Sequence, residues 1–215
     1  MKCKLTDALP LLLMLLCAAV LGILLLTGTV TADALFSLAK GRSRPVAIAV
    51  FLTLYALKGL TGVIVYDALL LAVAALFPLT DAIVINSVGL LICLSVSYLI
   101  GYHTKNQTAE QRLERYPKLK KYFGNAKDGG FWFCFFLHAL NLSLEAQGVL
   151  LGLMRVPYGK YLLGSFLAVA PGMLCFTIFG NEWNFENPAF WVILFINICM
   201  IVSAVIYTKR RILEK

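Results

Sequence analysis

The sequence predicts an all-α integral membrane protein: an inverted repeat of two re-entrant helical hairpins, each followed by a transmembrane helix, with further transmembrane helices near both ends. Three observations predict it. Hydrophobic residues make up 60% of the 215 positions and charged residues only 14%, with a mean hydropathy of +0.84. A soluble domain is nearer half apolar and a quarter charged, so this chain calls for a lipid solvent. The basic residues are confined to a few short segments, whose side of the membrane follows the positive-inside rule. One apolar stretch, finally, has a length that suits neither one crossing nor two.

The elements follow in chain order. After a basic start with Lys2 and Lys4, residues 8–28 are apolar, longer than a usual signal core, and read as a retained first span. Residues 34–40 are amphipathic and suit an interfacial helix carrying the cluster Lys40, Arg42 and Arg44. Residues 46–79 come next. As one helix they would measure about 50 Å, against a hydrocarbon core of about 30 Å. Lys58, Gly59, Leu60, Thr61 and Gly62 offer a break in the middle, so this stretch is expected to dip in and return. Thr80 and Asp81 are expected to cap the helix that follows, over 82–102. Residues 103–129 hold seven Lys/Arg against three acids. Leu113, Tyr116, Leu119, Tyr122 and Phe123 recur there at helical spacing, which fits either surface helices or a solvated linker. Apolar stretches over 130–153, 161–180 and 189–208 complete the chain, before the basic tail Lys209, Arg210 and Arg211.

Charge decides the topology. Six full crossings with the N-terminus inside would put the seven-base segment outside. If 46–79 and 130–153 both return to their own side, the N-terminus, the 103–129 loop, Arg155, Lys160 and the tail all fall inside. The link at 181–188, with Glu182 and Glu186 and no basic residue, falls outside. The cluster at Lys40 to Arg44 is then the one violation. Two dips from opposite faces, each followed by a span, outline the inverted repeat of many secondary transporters. Broken backbone at membrane depth needs protein or water around it, so the tips predict a polar cavity.

Several functions are excluded at this stage. The net charge of +8 sits between apolar runs and suits anionic headgroups better than nucleic acid. The six cysteines (Cys3, Cys17, Cys93, Cys134, Cys175, Cys199) lack metal or redox spacing and read as reduced packing residues. No P-loop or nucleophile elbow is present, and no cofactor or metal is expected.

Ionisable residues inside apolar runs cost about 2.5–3.5 kcal/mol each on insertion scales, so they are usually paired and functional. Lys58 and Asp67 flank the first break, and a hairpin would bring them together as a working pair or a structural one. His138, Asn141 and Glu145 are spaced to share one helix face. A carboxylate and a histidine stacked there would offer a proton relay, unless the hairpin breaks between them.

The residues of the second half resemble a known family. Gly152, Arg155, Tyr158, Lys160 and Gly164, then Pro171-Gly172 and Phe179-Gly180, are similar to the second half of the VTT domain, in the DedA / SNARE-associated Golgi protein superfamily, with most likeness to its Tvp38-like branch. Tyr55 to Phe77 and Asn86 to Gly101 resemble the stretch before that family's central loop, so the likeness covers about 46–181. The resemblance implies two opposed re-entrant hairpins and lipid handling: a flippase or scramblase, of undecaprenyl phosphate or phospholipid, with proton coupling proposed for the DedA branch. Two departures stand out. The family's first tip carries prolines and a Pro-Gly-acid element, of which only Asp67 is kept here. Its second hairpin carries an Arg and a Pro near the start, where this chain reads His138 to Glu145. Arg155 matches the motif, and suits either a lipid phosphate or an interfacial anchor.

The expectation is therefore a non-enzymatic lipid transporter in a bacterial plasma membrane, with both termini cytoplasmic. Its groove is expected to be lined by Lys58, Asp67, Glu145 and Arg155, and its partners are membrane lipids and protons; a homo-oligomer stays open. The alternative is a proton- or ion-coupled small-solute carrier, ahead of a scaffold or a lipid-modifying enzyme.

Overall fold

The computed structural model describes residues 43–62, 64–104, 130–140, 143–182 and 188–213. The expected first span at 8–28, the interfacial segment at 34–40, most of the basic segment at 103–129, and Asn141 lie outside the described residues. Within them the chain forms seven helices and no strand: α1 (Arg44–Thr61), α2 (Tyr66–Leu76), α3 (Leu79–His103), α4 (Gly130–Ala139), α5 (Leu144–Leu153), α6 (Tyr158–Glu182) and α7 (Pro188–Leu213). By length and composition α1, α3 and α6 are long and apolar enough to cross a bilayer. The outer faces are apolar too, as lipid contact requires: on α7, Trp191, Val192 and Phe195 are all more than half exposed.

Both expected breaks exist. α1 runs through Lys58 and Gly59 and stops at Gly62, whose φ of 66° ends the helix in the left-handed conformation that favours glycine. Its amide bonds the Lys58 carbonyl at 2.8 Å. The second break separates α4 from α5, where the Ser143 hydroxyl accepts from the amide of Ala146. One local expectation fails. α3 begins at Leu79 with Pro78 before it, so Thr80 and Asp81 already lie in its first turn and cap nothing. Asp81 pairs instead with Arg44 at the start of α1.

Two antiparallel helices organise the rest. Asn86 of α3 bonds Thr177 of α6, and Leu94 of α3 accepts from Tyr161 of α6, so the two run in opposite directions. α1 lies along the first part of α3: Arg44 meets Asp81, Tyr55 bonds Asn86, and Ser97 donates to the Gly59 carbonyl. α5 then continues along α3, with Gly148 against Ser97 and Gly152 against Tyr98. α6 is clothed in the same manner. α4 covers its first part, with Gly130 near Lys160 and Gly164 against Phe131, and α2 covers the end, where Asn181 donates to the carbonyls of Ala74 and Phe77.

Glycine makes the α3–α5 approach this close. A Cβ on Gly101 would sit 2.0 Å from the Val149 carbonyl oxygen, and one on Gly152 2.1 Å from that of Tyr98. Only hydrogen fits between backbones at that distance. Around the crossing, Tyr55, Tyr161, Leu90, Leu94 and Leu151 are fully buried. Asn86 satisfies three groups at once: it accepts from Tyr55 and donates to Thr177 and, at 3.4 Å, to the Leu70 carbonyl. One wholly buried amide thus ties α1, α2, α3 and α6 together.

Candidate functional site

The two breaks meet. Gly62, at the end of α1, faces Glu145, at the start of α5: a Cβ on the glycine would lie 3.6 Å from the Glu145 Cγ. At this junction the Lys58 ammonium pairs with a Glu145 carboxylate oxygen, both side chains about 95% buried. The second carboxylate oxygen accepts from the Ser143 hydroxyl at 2.9 Å, and the Cys93 Sγ lies 4.0 Å from the first. Lys58 also stands over the Tyr66 ring, 5.7 Å from its centroid. A desolvated pair of this kind survives where each charge has its partner and further polar support, which the Ser143 hydroxyl gives Glu145 and the Tyr66 ring gives Lys58.

This arrangement corrects one sequence expectation. Lys58 pairs with Glu145, 87 positions away, rather than with Asp67. The physical reason is the parallel course of α1 and α5 along α3, which brings the end of one helix to the start of the other. Asp67, in the first turn of α2, stays exposed. The shared face of His138 and Glu145 also fails, because α4 ends at Ala139 and Glu145 belongs to the next helix.

Asp67 and His138 come together elsewhere. Both line a cavity of about 140 Å³ with Tyr66, Leu144, Gly172, Met173 and, from α7, Asn197. The His138 Nδ1 lies 3.1 Å from the Cys134 carbonyl and 3.2 Å from the Ser165 hydroxyl.

Arg155 stands apart from both places. It follows α5 with a φ of 53°, unusual for a residue with a side chain, held by bonds from its own amide to Gly152 and from the Val156 amide to Leu151. Its guanidinium lies over Tyr102, 4.8 Å from the ring centroid. Tyr98, Tyr102 and Tyr158 line a shallow groove of about 430 Å³ with it. Tyr98 stacks on Tyr161 and donates to the Val156 carbonyl at 2.5 Å. The expected single groove of Lys58, Asp67, Glu145 and Arg155 is therefore three places: a sealed ion pair, a polar cavity and a tyrosine-lined groove.

Sequence reasoning missed Asn86, Tyr66, Cys93, Ser143 and Asn197. Asn86 and Asn197 carried a usable signal, since each is an amide inside an otherwise apolar stretch. Tyr66, Cys93 and Ser143 carried none, because tyrosine, cysteine and serine are ordinary in membrane helices.

No curated protein and no solved structure matches the chain significantly. The family model of the VTT domain matches residues 64–182, from the first break to the end of α6. That segment is more than half of the chain and contains Asp67, Asn86, His138, Glu145 and Arg155, while α1 and α7 fall outside it. By that match the chain belongs to the VTT-domain family, which is associated with membrane proteins of the DedA type.

Proposed function

We propose that this protein moves lipid across the membrane as a flippase or scramblase, with a phospholipid or undecaprenyl phosphate as cargo and protons as the coupling ion. The observation that carries the reading is the meeting of two helix breaks around the buried Lys58–Glu145 pair. A soluble-type core has little use for a charge pair at the ends of two interrupted helices. A transporter needs polar groups at depth, supported by chain ends that can rearrange.

The membrane topology of this reading is two re-entrant hairpins, α1–α2 and α4–α5. Arg44 and Asp81 link the starts of α1 and α3, so the first pair of helices begins and ends on one side. Gly130 lies beside Lys160, so the second pair begins and ends on the opposite side. Positive charge then assigns Tyr102, Arg155 and both termini to the cytoplasm of a bacterial cell. The Arg155 groove, open at that face, suits a headgroup phosphate.

The alternative is a proton- or ion-coupled carrier of a small solute, favoured by the modest volume of the cavity beside Asp67. The two readings separate in liposomes holding the full-length protein. Transfer of fluorescent lipid analogues or undecaprenyl phosphate above protein-free vesicles, reduced at least tenfold by Glu145→Gln, is expected. Absence of transfer for every lipid, with solute-dependent proton flux, would replace the lipid reading by the solute one.

A further inference from the structure

The fold builds two junctions of one kind and fills them differently. On α3, α1 runs into α5, and the second residue of α5 is Glu145. On α6, α4 runs into α2, and the second residue of α2 is again an acid, Asp67. At the first junction α1 supplies the ammonium of Lys58. At the second, α4 ends in His138 and Ala139 and supplies no cation, and the cavity lies at that place.

The lining of that cavity is mostly apolar, and its polar groups are Tyr66, Asp67, His138 and Asn197. His138 is 2% exposed. Its Nδ1 faces the Cys134 carbonyl, which can only accept, so Nδ1 carries the hydrogen and Nε2 presents a lone pair. Neither Nε2 nor the Tyr66 hydroxyl has a hydrogen-bond partner among the described residues. The Asp67 carboxylate makes no salt bridge among them: Lys58 lies within electrostatic reach but bonds Glu145. Neither lysine nor arginine lines the cavity.

We propose that this cavity binds a primary ammonium group. Asp67 supplies the counter-charge, and the His138 Nε2 and the Tyr66 hydroxyl accept two of the three N–H bonds. The Lys58–Glu145 pair is the internal precedent: the same fold position, an acid at the second residue of a helix, already holds an ammonium. Tyr66 serves both junctions: its ring lies under Lys58, it lines the cavity, and its buried hydroxyl has no hydrogen-bond partner among the described residues. A divalent metal fits less well, because one carboxylate and one imidazole are too few ligands, and no group of three His, Cys, Asp or Glu forms among the described residues. Asn197 closes the site from α7, outside the family domain. Gly172 permits this, since a Cβ there would lie 3.0 Å from the Asn197 amide nitrogen.

The ammonium can belong to an aminoethyl lipid headgroup or to a free amine. As a statement about cargo this rests on the transport reading; as a statement about binding it does not. An equilibrium measurement without transmembrane movement keeps the two failures apart. The full-length protein is placed in phosphatidylcholine nanodiscs and titrated calorimetrically with ethanolamine hydrochloride, tetramethylammonium chloride and zinc chloride.

Saturable ethanolammonium binding is expected, at least tenfold tighter than tetramethylammonium, which has the charge without N–H donors. Asp67→Asn should weaken it at least tenfold, and Tyr66→Phe several-fold while keeping the ring under Lys58. Gly172→Ala, which crowds Asn197, should also weaken it and carries the test if Asp67→Asn does not fold. Nanodiscs of phosphatidylethanolamine decide the source: competition with free ethanolamine points to the lipid, and an unchanged affinity to the free amine. Equal binding of both ammonium ions, tighter binding of zinc at Asp67, unchanged affinity in the variants, or no saturable binding would overturn the proposal.

Discussion

Removing Lys58 should destabilise the protein far more than removing Lys58 and Glu145 together. In Lys58→Met the Glu145 carboxylate keeps the Ser143 hydroxyl on one oxygen, but the other is left with only the Cys93 sulfur at 4.0 Å. Both side chains of the pair are about 95% buried, so water cannot replace the ammonium without opening the junction. Breaking a buried pair from one side costs about 3–5 kcal/mol, whereas replacing both partners by apolar groups of similar volume is often neutral or stabilising. The double variant Lys58→Met/Glu145→Leu should therefore recover most of the loss, giving a coupling energy of about 3 kcal/mol, or more than a hundredfold in the unfolding constant. Equilibrium unfolding in mixed SDS micelles, followed by tryptophan fluorescence, measures it. The same double variant should be inactive in lipid transfer, which separates stability from function. Single losses below about 1 kcal/mol that simply add in the double variant would refute the reasoning, because they would mean the junction is wet.

Three further outcomes are expected. Gly101→Ala should prevent folding or separate α5 from α3, since its Cβ would meet the Val149 carbonyl oxygen at 2.0 Å; loss of the monodisperse detergent-solubilised species on size-exclusion chromatography checks it. Gly62→Ala should cost about 1–2 kcal/mol through the left-handed backbone alone. Its Cβ finds ordinary contacts from 3.6 Å outward, and Gly159→Ala, with nothing within 4 Å, should be harmless in the same unfolding assay. Single cysteines at positions 102 and 158, on a background lacking the native thiols, should label from one side of the membrane, and one at position 80 from the other. All three positions are exposed, and labelling of all three from one side would exclude the re-entrant topology.

Much of this architecture was legible in the sequence because bilayer physics is severe. Helix-length apolar runs, a run too long for one crossing, and basic residues gathered at particular links all carry information about sides and lengths. They located the first break, whose expected window at Lys58 to Gly62 contains the real end of α1, and called for a second within 130–153 without placing it. Pairing was not legible. Lys58 and Asp67 are nine positions apart, and nearness in the chain suggested a local pair. The real partner lies in the other half because α1 and α5 share one supporting helix, a fact of tertiary packing that hydropathy does not encode. The close glycines that make this possible, Gly101 and Gly152, are indistinguishable in sequence from any other small residue in a span. The cap expected at Thr80 and Asp81 failed for a similar reason, since a proline at position 78 already starts the helix and frees Asp81 to hold Arg44.

The inequality of the two junctions has a consequence for how such a protein would work. On the re-entrant topology both acids stand at the ends of helices within the membrane, where an unpaired charge costs about 2.5–3.5 kcal/mol. Glu145 has this cost offset permanently by Lys58. Asp67 has no ion-pair partner of its own among the described residues and feels Lys58 only from a distance, so on the proposed ammonium site most of its compensation would come from a bound cation. A site that is satisfied in one condition and unsatisfied in another makes the energy of the fold depend on what is bound, which is the requirement for coupling a ligand to a conformational change. Two fixed pairs would make the molecule a rigid plug, and two open acids would leave it too costly to insert. On the proposed ammonium site, one pair would hold the helix ends together and one acid would sense a ligand, a combination that allows both stability and movement. His138→Lys offers the decisive comparison: an internal ammonium supplied by α4 in the cavity that Asp67 lines should leave the protein folded yet abolish ethanolammonium binding and lipid transfer together. Retention of transfer in that variant would assign Asp67 to structure alone.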